Sequence, residues 1–334
     1  MSDIKQTRLP RWRGFNLLDL FTTRSIGDFQ EDDFRWMRDW GFDFVRVPGC
    51  YTLWIKNGDP YRLHEPMLEK IDRVVRLGQT YNIHIDLNFH RAPGYSVNME
   101  CQESFNLWKD QAALDAFVFH WETFARRYRG IPSEQLSFNL VNEPKNPTPD
   151  FMTREDHARV IRAATAAIRA IDPERLIIAD GVTWGNDPCP ELLDLGIAQS
   201  CRAYIPMSVS HHKAGWVEGS EDFPAPQWPG GWHNGELWDR ARLEAHYRQW
   251  AELSAQGIGI HCGEGGAFSH TPHTVVLAWL RDVLDVLTGY NIGYALWNFR
   301  GSFGILDSGR ADVAYEDWYG HKLDRELLNL LQGF

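Results

Sequence analysis

Two carboxylates stand out by their neighbours. Glu143 lies in Leu140-Val141-Asn142-Glu143-Pro144, directly after one apolar run. Glu264 lies in Ile260-His261-Cys262-Gly263-Glu264-Gly265-Gly266, directly after another. Two carboxyls about 5–5.5 Å apart, one protonated and one ionised, can cleave a glycosidic bond with retention through a covalent glycosyl-enzyme. Arg46, His90 and Asn142 are suitable company: Asn can hold a sugar 2-hydroxyl, while Arg and His can keep a nucleophilic carboxylate ionised. Polar or aromatic residues close nearly every apolar run: Asn16, Arg46, His90, Asn142-Glu143, Asp180, His211-His212, Glu264 and Trp297. A packing role explains one such residue easily and the whole set poorly.

The elements that must position them alternate along the chain. The apolar runs predict strands at Trp12–Leu17, Phe42–Val47, Ile83–Phe89, Leu136–Val141, Leu176–Ala179, Ala203–Val209, Ile258–Cys262 and Gly293–Trp297. Near-continuous apolar runs of this length suit parallel strands buried on both faces. Helices are expected at Asp28–Trp40, Pro66–Tyr81, Gln111–Arg129, Arg154–Ile171, Pro190–Leu195, Asp239–Gln256 and Pro272–Thr288, with a last one from about Val313 to Leu331. Eight strand–helix units predict a (β/α)8 TIM barrel, in which reactive groups sit at the C-terminal strand ends. Arg13-Gly14-Phe15-Asn16 lacks the GxGxxG of a dinucleotide fold. No linker divides the chain, so residues 1–334 are read as one domain. Two connections are long, Pro48–Glu65 and His211–Glu236. The second, with Trp216, Trp228, Trp232 and three prolines, predicts a stiff aromatic lid.

Composition removes several classes. With 43% hydrophobic residues the chain is not disordered, and no apolar run is long enough to span a bilayer. A net charge of −11 without a basic stripe argues against nucleic acid as a partner. Fifteen Trp suit sugar stacking and a large core equally well. The cysteines (Cys50, Cys101, Cys189, Cys201, Cys262) show no metal-ligand spacing, so neither metal nor other cofactor is expected. Met1 to Arg13 carries no signal-peptide core; a cytoplasmic location is expected, or a secreted one if a leader has been removed.

Asn142-Glu143-Pro144 at the fourth strand end, with Glu264 at the seventh, resembles retaining glycoside hydrolase family 5, the cellulase-like family of clan A. Arg13–Asn16, Val45-Arg46-Val47-Pro48, Leu87-Asn88-Phe89-His90 and Leu296-Trp297-Asn298-Phe299 match in order. The resemblance covers essentially the whole chain. Asn-Glu-Pro alone is a weak signal; six ordered matches are a strong one. The resemblance implies that Glu143 is the acid/base and Glu264 the nucleophile. It also implies that Arg46, His90 and Asn142 surround the sugar under attack, with Trp297 as its stacking floor. One segment departs from the family, which usually ends strand six with His-x-Tyr, the Tyr hydroxyl touching the nucleophile. Here the segment is Ser208-Val209-Ser210-His211-His212-Lys213. Either His211 is the matching His and Lys213 replaces the Tyr, or the register slips and His212 takes the place.

The expected activity is a retaining β-glycosidase on β-linked glucosides or related hexosides, short or taken from a chain end. Endo-cleavage of β-glucan or β-mannan, and a catalytically inactive carbohydrate-binding protein on the same scaffold, are the alternatives. A metal-dependent barrel hydrolase using His90, His211, His212 and Glu264 lacks a ligand pair in Phe15-Asn16-Leu17. Lys213 is the one Schiff-base candidate, and Gly265-Gly266 is a weak phosphate signal.

Overall fold

A computed structural model describes residues 7–24, 26–97 and 103–334; Cys101 and residues 1–6 of the N-terminal segment lie outside them. The barrel strands are β1 (Arg13–Asn16), β2 (Phe44–Cys50), β3 (His84–Ala92), β4 (Leu136–Asn139), β5 (Leu176–Asp180), β6 (Ala198–Ala203), β7 (Ile260–Gly265) and β8 (Gly293–Leu296). Their order in the sheet is β2-β1-β8-β7-β6-β5-β4-β3, and a further β2–β3 pairing closes the ring. The pairings β1–β8, β7–β8, β2–β3, β3–β4, β4–β5 and β5–β6 are parallel. The fold is therefore a closed (β/α)8 barrel. Every residue of β2 and all nine of β3 are buried, as strands enclosed on both faces require.

Helices α1 (Glu31–Asp39), α2 (Glu65–Tyr81), α3 (Gln111–Arg127) and α4 (Arg154–Ile171) follow the first four strands. Then come two single turns, α5 (Val182–Gly185) and α6 (Met207–Ser210), before α7 (Arg240–Ser254), α8 (His273–Gly289) and α9 (Arg325–Gln332). α4 starts at a capping box: the Thr153 side chain accepts from the Asp156 amide, and the Asp156 carboxylate accepts from the Thr153 amide. By internal contact the chain groups into two compact units. One comprises Met1–Leu9, Leu17–Cys201 and Leu253–Ile260, the other Pro10–Asn16, Arg202–Glu252 and His261–Phe334.

Three expectations are corrected. The sixth strand lies at Ala198–Ala203, not Ala203–Val209. Its side chains include Gln199, Ser200 and Arg202, all buried, so it reads as polar, whereas the apolar stretch after it turns at Pro206 into α6. The final helix is only Arg325–Gln332. The residues before it form a hairpin, Glu316–Trp318 against His321–Leu323. Tyr319 and Gly320 turn it with φ of 52° and 84°, the left-handed pair that a tight hairpin demands. The Pro48–Glu65 connection is not a loop. β2 runs on to Cys50, a 3-10 turn covers Tyr51–Trp54, and a small hairpin pairs Ile55–Lys56 with Asp59–Leu63.

Much of the tryptophan is core: Trp54, Trp108, Trp121, Trp250 and Trp279 are fully buried. The long segment after α6 is tied down within its own unit. Trp228 Nε1 donates to Asp282 of α8 at 2.8 Å, and the Trp232 amide donates to Ser208 Oγ at 2.7 Å. Trp216 stands 59% exposed against Phe268, with ring centroids 4.8 Å apart.

Three buried histidines make stability pH-dependent. His84 bridges Glu134 O and Ser137 Oγ, His120 accepts from Trp54 Nε1 at 3.3 Å, and His157 lies beside Trp108 and Cys189. Burial pushes each from 6.5 down to about 4. The unfolded chain takes up these protons first. Their contribution is thus complete above pH 6.5 and is lost as pH falls toward 4, by on the order of 3 kcal/mol each. The expected thermal midpoint is level near pH 7 to 8 and falls steeply between pH 6.5 and 4. A midpoint still level at pH 4.5 would refute this.

Candidate active site

The first unit carries a buried polar net around the fourth strand end. Arg46 on β2 donates through Nε to Asn139 Oδ1 at 2.9 Å and through Nη2 to Asn142 Oδ1 at 2.8 Å. Asn139 Nδ2 donates to Asp180 Oδ1 at 2.9 Å, and Arg46 Nη2 lies 3.8 Å from Asp180 Oδ2. Asn142 Nδ2 contacts His90 Nε2 at 3.4 Å, and Phe21 meets the His90 ring edge-on at 4.7 Å. Arg46, Asn139 and Asn142 are fully buried. Charges so enclosed persist only when paired and hydrogen-bonded, as they are here.

Glu143 is fixed by its backbone. Its φ is 45°, a left-handed value that costs a non-glycine residue roughly 1–3 kcal/mol. Two bonds hold it there: the Glu143 amide donates to Asp180 Oδ2 at 2.9 Å, and Tyr95 OH donates to the Glu143 carbonyl at 2.6 Å. Burial, reinforced by the neighbouring Glu143 charge, pushes the Tyr95 phenol well above its ordinary range, so it stays a donor. The Asn142-Glu143 corner is thus held from β5 and from Tyr95–Ser96, a short strand paired antiparallel with the end of β3.

The second unit carries Glu264, 3% exposed, near the end of β7. Tyr204 OH donates to Glu264 Oε2 at 3.1 Å, and Arg202 Nη2 lies 3.3 Å from Glu264 Oε1. Tyr204 follows β6 immediately, and Arg202 is two residues before it, the spacing that puts two strand side chains on one face. The place beside Glu264 that the sequence reading gives to Lys213 or His212 is taken by the Tyr204 hydroxyl. Arg202-Ala203-Tyr204 keeps the x-Tyr spacing, with Arg in the place of His. His211 instead packs its ring on Tyr204 at 5.0 Å and bonds Ser210 Oγ through Nδ1 at 2.8 Å. His212 is half-buried one residue further on, where burial and Lys213 lower its basicity.

The remaining candidates of this unit sit close by. The Trp297 amide donates to Gly265 O at 2.7 Å, and its side chain is half-buried. Asn16 Nδ2 donates to Gly263 O at 2.9 Å. A Cβ on Gly265 would come within 2.8 Å of Ala203 O and 2.7 Å of the Tyr294 ring. Close strand approach, rather than phosphate binding, accounts for this glycine. Lys213 is exposed, without the enclosure that a Schiff-base lysine needs.

Among the described residues one trio, His157, Cys189 and Glu191, brings potential ligand atoms within 4.8 Å of one another. Cys189 and His157 are far apart in sequence, so spacing does not reveal them. Burial pushes the Cys189 thiol up to about 12, and Arg154 already pairs with Glu191 at 3.1 Å. Both features oppose a cation. No helix of the described residues is long and apolar enough to cross a membrane.

Comparison with known proteins agrees with this architecture. Endoglucanase C of Acetivibrio thermocellus is 26% identical over 313 residues, covering 86% of this chain and 88% of its own. Cellodextrinase A of Ruminococcus flavefaciens is 25% identical over 276 residues, covering 79% and 76%. The crystal structure of a glycoside hydrolase superposes with a TM-score of 0.93 at 40% identity, covering 97% of this chain and 99% of that one. The endoglucanase Cel5A of Thermotoga maritima, at 23% identity and a TM-score of 0.77 over 96% of each chain, shares the fold. The family model described as cellulase (glycosyl hydrolase family 5) matches residues 3–302. With a parallel ring of eight strands and a match along nearly its whole length, the chain belongs to glycosyl hydrolase family 5 and is a glycoside hydrolase.

Proposed function

We propose that the protein is a retaining β-glycosidase that works by double displacement on short or chain-end β-linked glucosides or related hexosides. Residues 1–334 act as one catalytic domain, without metal or other cofactor. Glu264 attacks the anomeric carbon as the bond to the leaving oxygen breaks, and Glu143 gives that oxygen its proton. Water then attacks the same carbon, Glu143 takes the water's proton, and the Glu264 carboxylate departs. Arg46, His90 and Asn142 surround the sugar under attack, and Trp297 stacks on it.

The carrying observation is the seating of Glu264: a buried carboxylate with a guanidinium at 3.3 Å and a phenol donor at 3.1 Å. Fixed donors of this kind orient a nucleophile without reorganisation during reaction. The short-substrate part draws support from the likeness to a cellodextrinase. The endo-acting reading draws on the relatives named endoglucanases and on Trp228, which ties its segment to α8.

Proton NMR of the first-formed sugar tests the mechanism. The β-anomer is expected before mutarotation, and an α-anomer would refute retention. Soluble β-glucan and β-mannan test the size. Release of mono- or disaccharide with little loss of viscosity is expected, whereas a fast viscosity drop with mixed oligomers would establish endo-cleavage.

A further inference from the structure

The strand that carries His90 is irregular at that residue. β2 and β3 pair in step from Phe44–His84 to Gly49–Phe89, and the next pair is Cys50–Arg91. His90 is therefore the inserted residue of a β-bulge, a device that re-aims a side chain by breaking the regular ladder. Where the imidazole points then depends on what touches it. Asn142 Oδ1 accepts from the Arg46 guanidinium, so Asn142 Nδ2 is the end that faces His90 Nε2, at 3.4 Å. An amide contact this long restrains a ring weakly. The Phe21 ring stands edge-on to the same imidazole, with centroids 4.7 Å apart, and supplies a wall.

Phe21 is held in turn by Arg91. It is half-buried in the segment between β1 and α1, and that segment crosses the ends of two strands. The Cys50 amide donates to Leu20 O at 2.9 Å, and Arg91 Nη1 donates to Phe21 O. Cys50 and Arg91 are partners in the ladder, so successive residues of the segment are tied to adjacent strands. The same guanidinium lies over the Phe21 ring, 4.7 Å from its centroid. One planar group thus fixes both the backbone and the ring of Phe21, which a Lys ammonium does not reproduce.

Stability alone does not account for a guanidinium here. Arg91 is 4% exposed, its Nε has no acceptor, and no carboxylate pairs with it among the described residues. A buried charge with a carbonyl and an aromatic face for company is poorly compensated. An apolar side chain of similar length would fold at least as well in its place. What distinguishes Arg91 is its position next to the bulged His90, with Phe21 touching both side chains.

We propose that Arg91 and Phe21 are positioning residues for the glycosidase reaction. Arg91 clamps Phe21, and Phe21 holds the bulged His90 in the orientation that meets the sugar under attack. The proposal rests on the reading of His90 as a residue that touches that sugar. A clamp on a group whose contact strengthens in the transition state changes kcat and leaves ground-state binding nearly alone.

Steady-state kinetics on 4-nitrophenyl β-cellobioside, read beside thermal midpoints, test it. Arg91→Met is expected to lower kcat at least about ten-fold with KM little changed. Its midpoint holds or rises, because an uncompensated charge has been removed. Arg91→Lys keeps the charge without the planar fork and shows the same kinetic loss. Phe21→Ala lowers kcat to a similar extent, and combining it with Arg91→Met lowers kcat no further, since the guanidinium acts through the ring. Should Arg91→Met not fold, Arg91→Lys takes its place in the cycle. His90→Ala sets the scale. A fall in kcat there, with unmoved kcat in folded Arg91 and Phe21 variants, overturns the clamp and leaves His90 in the site. Arg91 and Phe21 effects that simply add overturn it as well, and so does a lower midpoint in Arg91→Met with unaltered kcat, the mark of a structural tie. Unaltered kcat in His90→Ala removes His90 from the reaction and the proposal with it.

Discussion

Glu264→Gly is expected to lose turnover by at least about 10⁴-fold, because in the proposed mechanism loss of the nucleophile removes the covalent route altogether. With an activated aryl β-glycoside, added azide should restore part of the rate and give an α-glycosyl azide. The reason is geometric. A small anion entering the space left by the carboxylate attacks the anomeric carbon from the same face, and in the absence of a second displacement the configuration inverts once. The control is the fold, since Arg202 at 1% side-chain exposure loses its contact with Glu264 in this variant. A thermal midpoint and circular dichroism spectrum read alongside the kinetics separate a folded, rescued enzyme from an unfolded one. A β-azide, or unaltered activity in the variant, would remove Glu264 from the reaction.

Why the site is only partly legible in the sequence follows from what each element displays. Arg46, His90, Asp180 and Glu264 all lie within β2, β3, β5 and β7, whose apolar residues mark them as strands, so the polar groups toward their C-terminal ends can be picked out. β6 breaks that rule. Gln199 spends both ends of its amide on the Cys189 backbone, and Arg202 faces Glu264. A strand whose inward side chains are satisfied polar groups offers no hydrophobic signal, so the stretch Ala203–Val209 reads as the strand in its place. Arg202-Ala203-Tyr204 is the available clue: two functional side chains at i and i+2 at the end of a buried strand. Asn139 escapes a reading of strand ends for a related reason. It closes β4, but the apolar run Leu136–Val141 carries on past it, and its role as the link between Arg46 and Asp180 is visible only once three strands are adjacent. The last helix is too long when read from apolar spacing alone, because Trp318-Tyr319-Gly320 shows its hairpin character through backbone φ, which that spacing does not register.

Arg202→Met is expected to cost stability as well as catalysis. Arg202 and Glu264 have side-chain exposures of 1% and 4% and lie 3.3 Å apart, so each charge has been taken out of water beside the other. Breaking one side of such a pair is worth about 3–5 kcal/mol of destabilisation, most of it the penalty of the charge left behind. The Tyr247 phenol binds the Arg202 carbonyl at 3.0 Å, not its guanidinium, so the backbone of β6 keeps that tether in the variant. The informative protein is the double variant Arg202→Met with Glu264→Gln. It removes both charges at similar volume and should recover a large part of the loss seen in either single variant, a coupling of at least about 1 kcal/mol in the cycle. Single effects that simply add would mean that the two side chains are solvated separately. Recovery of stability in a double variant that stays inactive would show what the pair is kept for: an uncharged replacement folds nearly as well, but only the charged pair holds a carboxylate, with a phenol on its other oxygen, in the position the proposed attack requires.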